Sequence, residues 1–228
     1  MQVGYSTSSL SATSGSDFTP TTGVLSFLAG ETSKTFTVPI TNDNTDELNE
    51  TFRVTLNDAV GAARIGGKQV AIVTIVDNDP PPAISVKDVS ITEGNAGTKK
   101  LNFTVSLSQA SAKLVTVKFK TTNDSAAAPS DFLALALTTL TFAPGITTRI
   151  IEANIKGDTM TETNERFFLD LSTPTNATIT DTRGIGMILN DDSAPPSSLI
   201  TVVGNDEFFA AFAVDTLDSP LTKARKQR

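Results

Sequence analysis

Asp43-Asn44-Thr45-Asp46-Glu47-Leu48-Asn49-Glu50-Thr51-Phe52 returns as Asp158-Thr159-Met160-Thr161-Glu162-Thr163-Asn164-Glu165-Arg166-Phe167, with Asp, Glu, Asn, Glu and Phe in register. Upstream the match extends through Ser16-Asp17-Phe18 and Ser130-Asp131-Phe132, then through Leu25-Ser26-Phe27-Leu28-Ala29-Gly30 and Leu140-Thr141-Phe142-Ala143-Pro144-Gly145. Downstream, Ile72-Val73-Thr74-Ile75-Val76-Asp77-Asn78-Asp79 parallels Gly186-Met187-Ile188-Leu189-Asn190-Asp191-Asp192, and each ending runs into prolines, Pro80-Pro81-Pro82 and Pro195-Pro196. A self-match with a period of about 115 residues decides the organisation before any element is assigned.

Within each copy the local period is two. Phe36, Val38 and Ile40 alternate with polar residues, as do Phe52, Val54 and Leu56, and Gly, Asn and Asp punctuate the runs. Alternation of this kind predicts half-buried strands, and no segment sustains a helical period. Abundant Thr and Val with frequent turn residues predict an antiparallel sandwich whose sheets bury their alternating faces. Phe27, Phe36, Phe52, Phe103, Phe142 and Phe167 are the expected core aromatics, and Gly30, Gly94 and Gly145 the expected turn glycines.

The copies differ at their starts. Before its counterpart of the first copy, the second carries Ile84-Ser85-Val86, Val89-Ser90-Ile91, Thr92-Glu93-Gly94 and Leu101-Asn102-Phe103-Thr104-Val105. Val3-Gly4-Tyr5 aligns with Val117-Lys118-Phe119, so the first copy is expected to begin at its third strand. The expected division is a partial sandwich lacking its first two strands over 1–80, a complete sandwich over 83–193, and a C-terminal tail over 194–228.

Composition narrows the chemistry. The 228 residues are 39% hydrophobic, enough for packed cores. There is no Cys and no His, which removes thiol nucleophiles, zinc knuckles and histidine-based triads. A net charge of −7 argues against a nucleic-acid surface and suits a cationic partner. No apolar run approaches the roughly 18 residues of a membrane span, so membrane insertion is not expected. Paired carboxylates can hydrolyse glycosides, but that requires a cleft, and no motif with a catalytic mechanism is present, so an enzyme is not expected.

The Thr92-Glu93-Gly94 turn, the Ser-Asp-Phe step, the Phe-x-Pro-Gly hairpin, the Asp-x-x-x-Glu-x-Asn-Glu-x-Phe run and the terminal acids resemble, over about residues 3–193, the Calx-beta family. Repeats of that family occur in sodium/calcium exchangers, adhesion receptors and long bacterial surface proteins. The resemblance implies an all-β fold of tandem immunoglobulin-like antiparallel β-sandwiches, with calcium held by loop acids at one end of each. Position by position it implies Glu93, Asp131, Asp158, Glu162, Asp191 and Asp192 in the second copy, with a main-chain carbonyl near Met160. In the first copy it implies Asp17, Asp43, Glu47, Asp77 and Asp79, without a counterpart of Glu93. Asn190 stands where stronger binders carry an acid, and Gly157 replaces an acid often found before Asp158. Glu50 and Glu165 read equally as ligands or as solvated strand-edge charges and are left outside the expected site.

Calcium suits such a set because it takes 6 to 8 oxygen ligands with irregular geometry. Taken singly, each acid reads as readily as a turn residue satisfying nearby backbone groups. Asn49, Asn102, Asn123 and Asn176 fall in Asn-x-Ser/Thr sequons, of consequence only in a eukaryotic secreted protein. The function expected is a calcium-binding structural or adhesive repeat of a larger protein, non-catalytic. The alternatives are a metal-independent spacer or ligand-binding repeat of a surface protein, or a cytosolic calcium sensor. An extracellular or cell-surface bacterial setting is expected, with a cytoplasmic one as the alternative.

In the tail, Leu199-Ile200-Thr201-Val202-Val203 and Phe208-Phe209-Ala210-Ala211-Phe212-Ala213-Val214 read as two strands, the first two of a further repeat. Lys223, Arg225, Lys226 and Arg228 give a basic finish, and the competing reading is a degenerate, solvated end. Expected partners are calcium ions and neighbouring repeats of the same or another chain, with head-to-tail self-association following from the two-strand reading of the tail.

Overall fold

The computed structural model describes residues 1–61 and 64–193, all strand and loop, with no helix among them. The tail and both readings of it lie outside the described residues. The first unit is one sheet of β1 (Gln2–Ser9), β2 (Thr22–Ser26), β3 (Glu50–Val60) and β4 (Val70–Ile75), in the order β2-β1-β3-β4. The second unit is built from β5 (Ala83–Val86), β6 (Val89–Thr92), β7 (Thr98–Leu107), β8 (Val115–Asn123), β9 (Thr138–Phe142), β10 (Thr148–Lys156), β11 (Glu165–Thr175), β12 (Thr178–Ile179) and β13 (Arg183–Leu189). Its sheets run β10-β7-β5-β12 and β6-β13-β11-β8-β9. The pairings are antiparallel except β6 with β13 and β12 with β5, which are parallel. The fold class is all-β, in tandem immunoglobulin-like units.

Period two explains the second unit's core. Leu101, Phe103, Val105 and Leu107 on β7 and Ile151, Ala153 and Ile155 on β10 meet Val115, Val117 and Phe119 on β8 and Phe167, Leu169 and Leu171 on β11, all buried. The intervening polar residues face out, as two packed sheets require. Phe167 is the hub, with Phe132 stacked on it at 4.2 Å and Phe103 edge-on at 5.8 Å.

The first unit repeats half of this. Its β2-β1-β3-β4 order is that of β9-β8-β11-β13, and Phe18 stacks on Phe52 at 4.4 Å as Phe132 does on Phe167. The strand expected over Phe36, Val38 and Ile40 is a correction: among the described residues that stretch forms no ladder, and its backbone pairing is a single bridge from Ile40 to Phe18. In the second unit the equivalent β10 is hydrogen-bonded to β7 along its whole length. The described part of the first unit contains no β7 counterpart, so the backbone there has no ladder partner. Phe27 and Phe36, expected in the core, are for the same reason only half-buried, although Phe36 stacks on Tyr5 at 4.0 Å.

The units meet through side chains that the repeat does not share. Ser111, at the end of β7 that abuts the first unit, donates its hydroxyl to the Asp46 carboxylate at 2.8 Å, and the Ala112 N–H donates to the Asp46 carbonyl at 3.0 Å. Lys113 reaches Asp46 at 2.7 Å, and the Gln109 side chain donates to the Pro80 carbonyl at 2.9 Å. The pole of the first unit where Asp43–Phe52 turns is therefore fastened to the opposite pole of the second.

Candidate metal centre

In the second unit the loops at the pole away from the first unit carry the acids. Glu93 follows β6, and the parallel pairing of β6 with β13 sets it beside the chain leaving β13, with the Glu93 N–H donating to the Leu189 carbonyl at 3.1 Å. The next N–H, of Gly94, donates to Asp191 at 2.9 Å. Carboxylate oxygens of Glu93, Asp191 and Asp192 lie within 4.8 Å of one another, and Glu93 is only 4% exposed. A second trio within the same distance is Asp131, Glu162 and Glu165. Asp158 belongs to neither trio but acts electrostatically on both, through Glu93 and Glu162.

The proton affinities follow from this crowding. Burial, then the charges of Asp158, Glu162, Asp192 and Asp191, push the Glu93 carboxyl up. Burial, then Asp158, Asp131 and Asp192, do the same to Glu162. Glu165 rises furthest, to about 7, through burial, a hydrogen bond with Asp131, and the charges of Asp131, Glu162 and Glu93. These shifts record carboxyl groups first desolvated by burial and then drawn together against their own repulsion.

The first unit carries a matching cluster at the pole that faces the second. Asp17, Glu47 and Glu50 lie within 4.8 Å, and Asp43, Asp77 and Asp79 line the same concavity. Burial followed by the charges of Asp43, Asp17, Asp77 and Asp79 raises Glu47, while burial and an Asp17 hydrogen bond raise Glu50 to about 7. Glu50 and Glu165 are the members that reading the sequence left out. They sit at the first residue of β3 and β11, whose antiparallel pairing aligns them with Ile75 and Ile188 and points them at the pole. Their recurrence in the repeat was the available signal.

Several of these acids also build their own loops. Asp43 accepts the Thr45 N–H and Asp158 the Met160 N–H, each at 2.7 Å, and Asp17 and Asp131 accept the N–H groups of Thr13 and Ala127. Asn49 and Asn164 accept the N–H groups of Asp77 and Asn190, tying the repeat motif to the terminal strand. Where Asp77 accepts the Glu47 N–H, Asn190 instead donates to the Glu162 carbonyl at 3.0 Å. The second pole carries its second terminal acid one residue later, at Asp191 where the first has Asn78, so each terminal segment holds two carboxylates. Gly157 stands where an acid was noted as missing: a Cβ would fall 1.9 Å from the Gly94 carbonyl oxygen and 2.8 Å from that of Glu93.

The residues fit a hard divalent cation. The donors are all oxygens on several loops, as calcium requires. Among the described residues, Asp192 Oδ2 is buried with no hydrogen-bond partner, an orphaned acceptor that an oxygen-seeking ion would satisfy.

Among curated proteins the chain is 27% identical over 171 residues to Adhesion G-protein coupled receptor V1 of Danio rerio, covering 73% of this chain and 3% of that protein. The chain thus spans a small part of that relative. Among solved structures, CBD12 from CALX1.2 is 20% identical, covering 82% of this chain and 86% of that one at a TM-score of 0.42. The apo-form Calx CBD1 domain is 21% identical, covering 49% of this chain and 99% of that one, also at 0.42. The family model of the Calx-beta domain matches residues 1–79 and again 83–193. With most of its length matched in two successive segments, the chain belongs to the Calx-beta domain family.

Proposed function

We propose that the chain is a non-catalytic, calcium-binding structural or adhesive repeat module of a larger protein. The observation that carries this reading is the convergence of Glu93, Asp191 and Asp192, and of Asp131, Glu162 and Glu165, at one pole, with Asp192 Oδ2 lacking a partner among the described residues and three glutamates raised by burial and by like charge. Glu93, Asp131, Asp158, Glu162, Glu165, Asp191 and Asp192 would hold the ion there. Asp17, Asp43, Glu47, Glu50, Asp77 and Asp79 would hold it in the first unit. Bound calcium would supply positive charge that offsets the carboxylate repulsion. The chain's own contribution is to hold these oxygens together through the β6–β13 pairing and the Asx-type hydrogen bonds of Asp43 and Asp158. The first unit's cluster lies beside the fastening to the second, so an ion there would stiffen the angle between repeats. An extracellular or cell-surface setting accords with an adhesive role, and a cytoplasmic one with a sensor.

The test is thermal unfolding in calcium and in chelator. A ligand that binds only the folded form raises its stability, by about 2.7 kcal/mol at a hundredfold excess over Kd. An unchanged midpoint would remove the metal reading. A metal-independent spacer is the second reading, and one observation favours it: Lys113 already brings a cation to Asp46 at 2.7 Å and to Asp77 at 3.5 Å.

A further inference from the structure

We propose, resting on the calcium reading of the first unit's pole, that Lys113 of the second unit sets the affinity of that pole, as a tethered ammonium that the ion must displace from Asp77. The geometry is that of a shared cation. Lys113 Nζ lies 2.7 Å from Asp46 Oδ1 and 3.5 Å from Asp77 Oδ2, and all three side chains are largely buried. Asp46 stands outside the acidic trio, whereas Asp77 lines the concavity that Asp17, Asp43, Glu47 and Glu50 share. One lysine thus joins the fastening between the units to the ion cluster.

The Asp77 carboxylate is already engaged on both oxygens. Its Oδ2 accepts the Glu47 N–H at 3.2 Å as well as facing Lys113, and its Oδ1 accepts the Asp79 N–H at 3.3 Å. The two N–H groups are fixed by the backbone, whereas the ammonium rides on a flexible four-carbon stem and is the partner that can move. Calcium binds carboxylate oxygens at about 2.3 to 2.6 Å, so an ion on Asp77 would bring a double positive charge close to Lys113. At a separation of a few ångströms that repulsion is worth about tenfold in affinity even in a water-like dielectric.

Lys113 keeps a partner when it leaves Asp77. Asp46 is anchored by the Ser111 hydroxyl at 2.8 Å and, through its carbonyl, by the Ala112 N–H at 3.0 Å. An ion at the first pole would therefore concentrate the ammonium on Asp46 and tighten the junction. The second copy is built without this device. Thr161 replaces Asp46 there, and among the described residues no Lys or Arg pairs with Glu93, Asp131, Asp158 or Glu162.

The test is calorimetric titration of the full chain with calcium, in a Glu93→Gln, Glu162→Gln background that weakens the second pole. Binding that disappears on adding Glu47→Gln is assigned to the first. Lys113→Gln is expected to tighten first-pole binding about tenfold, and Lys113→Arg, which keeps the charge, to leave it within about twofold. A lysine that only fastened the units would give the opposite sign, because loosening the junction cannot improve the site. The wild type supplies a second measurement that needs no variant to fold: the Lys113 ammonium resonance should shift as calcium fills the first pole. Affinity unchanged or weakened in Lys113→Gln, or an ammonium signal indifferent to bound calcium, would overturn the proposal and leave the calcium reading standing. Absence of first-pole binding in the background chain and in both Lys113 variants would overturn the two together.

Discussion

Lys113 of the second unit lies 2.7 Å from Asp46 of the first, and Asp46 is 2% exposed. The same carboxylate accepts the Ser111 hydroxyl and the Asp46 carbonyl accepts the Ala112 N–H, so one buried residue gathers two side chains and a backbone contact across the junction. Thr161 occupies the equivalent place in the second copy and cannot make the ion pair.

Asp46→Ala leaves the Lys113 ammonium with the 3.5 Å contact to Asp77 and the Ser111 hydroxyl with only the main-chain carbonyl of residue 46, at 3.1 Å. A lost hydrogen bond to a charged group costs about 1.5–3 kcal/mol. The expected outcome is a wider spread of inter-unit angles, read by small-angle scattering, and faster proteolysis near Pro80–Pro82. Unaltered scattering would show that the linker alone sets the angle.

Glu93→Gln separates metal binding from folding. In chelator the variant should be as stable as the wild type or more so, since burial and four neighbouring carboxylates disfavour the ionised side chain. In calcium it should lose at least tenfold in affinity, which is about 1.4 kcal/mol of ligand-linked stability. Calorimetric titration beside melting curves reads both. A variant destabilised equally with and without calcium would assign Glu93 a purely structural role.

Adding a carboxylate at position 157 should fail. Gly157→Asp puts a Cβ into the space of the Gly94 carbonyl, so the strand ends must separate. Gly94 is held in place by its own N–H, which donates to Asp191 at 2.9 Å. Overpacking of this sort costs about 1–3 kcal/mol. A gain in calcium affinity with unchanged stability would refute the steric account.

Equivalent core truncations should differ between copies. Leu169→Ala opens a cavity under two sheets and should cost about 2–5 kcal/mol, whereas Val54→Ala, at a half-exposed position, should cost about 1 kcal/mol in the single chain. Denaturant unfolding of the two variants measures the contrast, and equal losses would mean that the first unit's face is covered.

Asp170 gives the second unit an acid-sensitive increment. Burial disfavours its charge, but hydrogen bonds from Arg183 and Thr122 prevail and hold the carboxyl below its ordinary value. A depressed folded pKa means stability that is fully present above the unfolded value near 4 and lost as pH falls through the folded one. Asp170→Asn should therefore flatten the melting temperature below about pH 4 relative to wild type. Parallel acid profiles would place the sensitivity elsewhere.

Much of the fold was legible because its signal is local. Strand alternation around Phe103, Phe119 and Phe167 needs a few consecutive residues, and the two Asp-to-Phe motifs reveal the tandem by comparison with each other. The 33–40 stretch misled for the converse reason: Phe36, Val38 and Ile40 have the right period, but a strand also needs a neighbour to hydrogen-bond, and the neighbour lies in another part of the sequence. Glu165 was ambiguous because a strand-entry charge looks the same whether it points to solvent or to a pole.

The sequence by itself determined two related all-β units, their order, and the acids available to each. Tertiary structure alone decided which acids share a pole, that Asp46 fastens the units, that Gly157 has no room for a side chain, and that Leu169 and Leu171 are buried while Val54 and Leu56 are only partly so. The physical reason is range. Period and turn chemistry act between near neighbours, whereas carboxylate convergence and burial depend on which distant strands pair, as β6 with β13 brings Glu93 to Asp191 across nearly the whole second unit.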